Sequence, residues 1–343
     1  RTTGTATLTN CTVAGNALTG NTSGRYGAVA MDLAGTLILR NTLVYGNTGT
    51  NGATPENNVY VAAGTATADH CLLQTASAAV TATNAVAGTP VFLNAGAGNY
   101  RLHVSSPGVD QGLDSHNATT EDLEGNPRSS IFGMDLGAYE VPMALHAGAA
   151  QPNTYASEDR WIHIGSANNL LAASVRDLPG GGNLGITTAA LTVDATVGAD
   201  QSGVEYLQRH ITITPATNGP ARVRVFFTQT ELDALIAADP AYSTKTLNDL
   251  AVNKFNYEQN TFITPASITY YADVEPGIHC MEFDVTGFSS FSLSFEALDI
   301  NPLPVDGLFL TAHTEGQDIR LEWTTQQERN NHGFGVEVLH PGA

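Results

Sequence analysis

The chain has 343 residues, with 14 Lys or Arg against 33 Asp or Glu, a formal net charge of −19. That balance argues against a nucleic-acid partner, because no basic stripe is available to displace counterions from phosphates, and no run of about 18 apolar residues offers a membrane span. Only 14% of residues are charged while Gly, Thr, Ala and Asn abound, and long helical periodicities are few, so an all-β protein is expected.

The chain opens on a repeat. Gly4–Asn16 (GTATLTNCTVAGN), Gly35–Asn47 (GTLILRNTLVYGN) and, more loosely, Gly64–Gln74 (GTATADHCLLQ) start 31 and 29 residues apart. Superposing the glycines aligns Leu8, Leu39 and Ala68, then Cys11, Thr42 and Cys71, then Val13, Val44 and Leu73. Alternation with Thr7, Thr9 and Thr12 is the period of a strand with one buried face. Each copy with its loop is therefore one coil of a parallel β-helix. Asn10 and Asn41 are expected to stack as an amide ladder at the first corner, with His70 in the third place. Gly15 and Gly46, each followed by Asn, mark the next corner. At ~4.8 Å per coil, Cys11 and Cys71 lie roughly 10 Å apart, too far for a disulfide, so each is expected to be a small buried side chain. Cys280 has no evident partner.

Loops Ala17–Tyr26 and Thr48–Asn58 separate the coils, with alternating apolar stretches ending at Leu33 and Ala63. After Gly88-Thr-Pro90 the pattern changes, running through Val91-Phe-Leu and Asn99–Gly112 to Asp122-Leu-Glu-Gly-Asn-Pro-Arg128 and Gly133–Glu140. This segment resembles the closing module of bacterial surface β-helix proteins, "P-x-F-x-N … Y-x-L … S-P … D-x-G" followed by "D-L-x-G-N-P-R … D-x-G-A-Y-E". The resemblance implies right-handed, pectate-lyase-like coils over residues 1–141, ending in this module. An open coil edge carries unpaired backbone groups, so the module is expected to cover it.

Residues 145–300 are expected to form a β-sandwich. Val223, Val225 and Phe227 alternate with Arg222, Arg224 and Phe226, and Met281, Phe283 and Val285 with Cys280, Glu282 and Asp284. A helix interrupts it: Thr228 and Glu231 form a capping box, Leu232, Leu235 and Ile236 recur at helical spacing, and Pro240 stops it. A short turn at Leu247 and Leu250 follows. Tyr206–Ile213, Arg222–Leu235 and Phe288–Leu293 resemble the pre-terminal sandwich of large secreted Bacteroidetes-type proteins. A proline-stiffened linker, 301–306, leads to 307–343, where Gly307–Thr314, Asp318–Thr325 and Gly333–Leu339 are expected as three strands. Leu321–Glu337 resembles the start of a fibronectin-type-III-like domain of proteins exported by type IX secretion, a partial sandwich here. Trp161 and Trp323 are expected in the core.

Candidate chemistry is sparse. A polysaccharide lyase or hydrolase site needs clustered carboxylates with a basic partner, whereas the coils contain no lysine and carry only Asp32 and Asp69 as strand-borne acids. Asp110, Asp114, Glu121, Asp122, Glu124 and Asp135 are dense enough to be calcium candidates, but no Asp-x-Asp-x-Asp-Gly loop is present and turn or cap roles compete. Ten histidines show no metal-ligand spacing. Gly180–Gly182 lacks the Lys-Ser/Thr of a phosphate loop. Asn10, Asn21 and Asn117 begin glycosylation sequons. No catalytic residue and no cofactor beyond Ca²⁺ is assigned. The leading reading is a non-enzymatic extracellular structural or adhesive surface protein, either a filament subunit joined head-to-tail through 307–343 and the coil edge at Arg1 or a fragment of one long monomeric surface protein; surface glycans are further candidate partners. The alternative is a carbohydrate-active enzyme or carbohydrate-binding β-helix.

Overall fold

The computed structural model describes residues 4–17, 28–31, 34–49, 58–74, 79–117, 119–128, 130–146, 148–149, 153–155, 160–178, 182–200, 202–255, 260–298, 309–315 and 318–324. Asn21, Asp32, Leu33, Gly180, the linker 301–306 and the predicted strand Gly333–Leu339 lie outside them. The fold is all-β, with one α-helix among the described residues.

Nine short strands build the repeat region: β1 (Thr5–Thr9), β2 (Thr12–Ala14), β3 (Val29–Met31), β4 (Thr36–Arg40), β5 (Leu43–Tyr45), β6 (Val59–Val61), β7 (Thr65–Asp69), β8 (Leu72–Leu73) and β9 (Val80–Thr83). They form parallel stacks in the orders β1-β4-β7-β9, β2-β5-β8 and β3-β6. The register predicted from the glycines is the one found: Leu8 pairs Leu39, Leu39 pairs Ala68, and Val13, Val44 and Leu73 align in turn. Leu37, Leu39, Val44, Val59, Ala66 and Cys71 fill the interior between the stacks. Between the first two strands of each repeat the backbone turns through a left-handed residue, Asn10, Asn41, His70 and finally Asn84, with φ of +54°, +46°, +48° and +48°. Asn and His are among the few side chains that tolerate this conformation. One residue on, Cys11, Thr42 and Cys71 each donate back to the carbonyl two residues earlier, at 3.2, 2.8 and 3.3 Å. Cys71 is buried as predicted, while Cys11 is only half-buried.

The amide ladder lies at the other corner. Asn41 is fully buried, but its amide donates to the Leu113 carbonyl and accepts from the Leu113 N–H, and Asn10 donates to Asn117. The ladder instead runs from Asn16 to Asn47 to Asn58 to Gln74, with links of 2.9, 3.0 and 3.3 Å. The first-corner amides are taken by Leu113 and Asn117 of the module, residues 90–141, which corrects the sequence expectation.

The module corrects a second expectation. It contains the hairpin β10 (Phe92–Asn94) and β11 (Asn99–Leu102) and lies along the repeats. Leu102, Val109 and Leu136 pack on Leu43 and Leu72, the outward residues of β5 and β8. Those leucines make the outer face of β2-β5-β8 apolar, and an apolar sheet face must be covered. Gly137, at φ +102°, donates to the Asn41 carbonyl, and the space a Cβ would need is held by the Thr12 hydroxyl.

The sandwich follows. One sheet has the order β14-β15-β19-β23-β22, from β14 (Ile162–Gly165), β15 (Leu171–Asp177), β19 (Ala221–Thr228), β22 (Ile268–Glu275) and β23 (Ile278–Val285). The other contains β12 (Gly148–Ala149), β13 (Asn153–Tyr155), β16 (Gly185–Val193), β17 (Gly198–Ala199), β18 (Glu205–Pro215), β20 (Ala251–Phe255), β21 (Asn260–Ile263) and β24 (Ser290–Ser294). Val223, Val225, Phe227, Met281, Phe283 and Phe291 meet in the core. Helix α1 (Gln229–Ala238) carries the predicted Thr228/Glu231 capping box, and Glu231 also pairs with Arg209. The predicted turn is the 3-10 helix Leu247–Asp249.

Phe226 and Cys280 point to the opposite side of the first sheet, yet both are buried. There Val104 and Phe132 of the module pack against Leu171, Phe226, Val274 and Cys280. The module thus has two apolar faces, one on the repeats and one on the sandwich. Beyond 298, β25 (Phe309–Glu315) and β26 (Asp318–Thr324) form an antiparallel hairpin in which Trp323 is 41% exposed, contrary to its predicted core role. Trp161 is half-buried and stacks on Arg224. Among the described residues no helix is long and apolar enough to cross a membrane.

Candidate functional site

Among the described residues, the module builds two places where polar side chains from distant segments converge. The first is the corner after β7. Asp69 ends that strand, His70 occupies the left-handed turn, and the module's 3-10 helix Asp114–His116 brings in His116. Asp69 Oδ1 is 3.1 Å from His70 Nδ1, and Oδ2 is 2.7 Å from His116 Nε2. The two imidazoles are edge to face, 5.9 Å between centroids. Asn84 and Thr83, from the next repeat, donate to Oδ1 at 2.9 and 3.0 Å. Burial opposes ionisation of Asp69, but the hydrogen bonds from Asn84, His116 and Thr83, with His70 nearby, hold its carboxyl well below the usual range. All three residues are half-buried, so the ionised group faces solvent as well as the two rings.

The second place is the junction of module and sandwich. His103 Nε2 lies 2.7 Å from the Ser166 carbonyl, Val104 N–H donates to Asn169, and Arg160 donates to the Pro107 carbonyl. Asp110, at φ +56°, has its Oδ2 3.4 Å from His163 Nε2. Burial first, then repulsion from Asp135, pushes the Asp110 carboxyl up; burial likewise raises Asp135 and Glu140. His163 is pushed down to about 3 by burial and by the Arg224 and Arg160 guanidiniums.

The six acids proposed as calcium candidates are dispersed over the module. Asp110 and Asp135 meet, but Asp135 Oδ1 accepts the Asp110 N–H and its Oδ2 the Val141 N–H, at 2.8 and 2.7 Å. Asp122 Oδ1 accepts the Glu124 and Asn126 N–H groups, and its Oδ2 the Glu140 N–H. Glu124 pairs with Arg101. Asp114 and Glu121 are exposed, at a 3-10 turn and a bridge to Pro127. Arg128 completes the motif by donating to the carbonyls of Gly137 and Ala138 and to Glu140. Of these six acids, Asp122 and Asp135 hold the module's own backbone.

In the sequence Asp69 stands out only beside Asp32 as a strand-borne acid, and His70 and His116 are far apart along the chain. No local spacing could signal a contact made by the module folding back over the repeats. Comparison with protein-family models, curated proteins and solved structures gives no match.

Proposed function

We propose that this chain is a non-enzymatic structural segment of an extracellular bacterial surface protein. In this reading the parallel stacks are coils of a right-handed β-helix, the sandwich is a spacer, and the hairpin β25-β26 belongs to a fibronectin-like unit. The observation that carries it is the double-faced module. Leu102, Val109 and Leu136 seat it on the repeats, while Val104 and Phe132 seat it on the sandwich. A connector buried on both sides transmits force between its neighbours, whereas domains joined by a polar linker move independently. The acids and Arg128 of its two sequence motifs are likewise used to brace backbone.

Electron microscopy of native protein prepared from cell surfaces tests this. Elongated particles or fibres are expected in which repeats, module and sandwich keep one fixed arrangement. Depolymerisation of an acidic polysaccharide by the purified protein, abolished by substituting Asp69, would overturn the structural reading in favour of an enzyme.

A further inference from the structure

We infer that the corner formed by Asp69, His70 and His116 is a binding site for a late first-row divalent metal ion, of which Zn²⁺ is the representative. One ligand atom from each residue lies within 4.8 Å of the other two. Small side-chain rotations bring such atoms onto the roughly 2.0–2.2 Å bonds of a common ion. Two imidazoles and one carboxylate, with water in a fourth position, suit zinc and its neighbours. Calcium and magnesium, which seek six or more oxygens, are poorly served.

Three features of the corner go beyond proximity. Asp69 is oriented before any ion arrives: Asn84 and Thr83 occupy Oδ1, leaving Oδ2 directed at His116. Such outer partners are what metal-binding carboxylates use to fix their aim. Second, the left-handed corner seat is Asn in the first, second and last positions and His only where Asp69 precedes it. Asn satisfies that backbone equally well, so the fold alone does not call for His. Third, the remaining ligand comes from a different segment, so the ion would tie the module's Asp114–His116 turn to the third repeat. The neighbouring thiol is directed away from the corner: Cys71 is buried in the interior between the stacks.

The test is calorimetric titration of chelator-treated full-length chain with Zn²⁺, beside the variants His70→Asn and His116→Ala. One ion per chain is expected, with each substitution weakening binding at least about tenfold. Zn²⁺ should also raise the melting temperature of the parent protein by more than that of either variant at the same concentration, since an ion bound only by the folded state stabilises it in proportion to its affinity. His70→Asn installs the side chain the other corners carry, so its unchanged melting without metal separates ligand loss from misfolding even if His116→Ala does not fold. Unaltered Zn²⁺ affinity in His70→Asn, or no Zn²⁺ binding by the parent, overturns the site. An equal melting shift with Ca²⁺ overturns the assignment of metal class.

Discussion

Arg224, on strand β19, lies over Phe132 of the module with its guanidinium carbon 3.8 Å from the ring centroid. Trp161 lies at the same distance, and the Arg224 Nε donates to Glu282 at 2.8 Å. A charge this deeply placed depends on its partners, because desolvation alone would exclude it. Stacking on aromatic faces suits a planar, weakly hydrated guanidinium. One side chain of the sandwich thereby holds one ring of the module, at the joint on which the structural reading rests.

Removing that side chain should loosen the joint. Arg224→Ala is expected to cost about 3 kcal/mol, because it leaves buried Glu282 with only the longer 3.7 Å contact to the Arg222 charge, and a void between two rings. Chemical denaturation measures the loss, and limited proteolysis should show earlier cutting near the module. Stability within about 1 kcal/mol of the parent would mean the pair contributes little.

The two Asn corners separate in the same way. Asn47 is fully buried, accepts from Asn16 and donates to Val13 and Asn58. Asn47→Ala leaves several of these groups unsatisfied and should cost at least about 2 kcal/mol. Asn10→Ala, removing one half-buried bond to Asn117, should cost about 1 kcal/mol or less. Thermal melts of the two variants side by side check the order; the reverse order would return the ladder to the first corner.

The buried acids set a pH dependence with a definite sign. A carboxyl raised in the folded state keeps its proton after the unfolded chain has lost it, so stability falls as pH rises above about 4. Asp110, Asp135 and Glu140 all contribute in this direction. His163, depressed in the folded state, acts oppositely, but only below about pH 6.5. Between about pH 6.5 and about pH 8 the melting temperature should therefore decline, and Asp110→Asn should flatten the decline. Parallel slopes in parent and variant would show that Asp110 is ionised in the folded protein.

Thiol chemistry reports on packing. Burial raises Cys71 and Cys280 strongly and Cys11 less, and only Cys11 is partly exposed. A thiol reagent should label Cys11 first in native protein and the other two only on unfolding. Rapid native labelling of Cys280 would mean that the module does not cover the sandwich in solution.

Much of this protein is legible in its sequence because much of it is periodic or local. The strand register follows from superposed glycines, since parallel strands one repeat apart place like residues side by side. The helix and its cap follow from residues Thr228 to Pro240, where donor, acceptor and apolar spacing lie within a few turns. The exposed Trp323 shows the limit of alternation: the pattern marks a strand face but not whether another layer covers it.

The placement of the module was decided only in three dimensions, and with it both candidate sites. Asn41 and Asn47 are alike in sequence and in burial, yet one bonds across 72 residues to Leu113 and the other up the repeat stack. An amide has few donors and acceptors, and the groups that the folded backbone places within reach take them. His116 meets Asp69 across 47 residues for the same reason. Periodicity and short-range spacing determine the elements and their register; which outer face the returning chain covers depends on apolar area exposed by strands far away, and no local pattern encodes it.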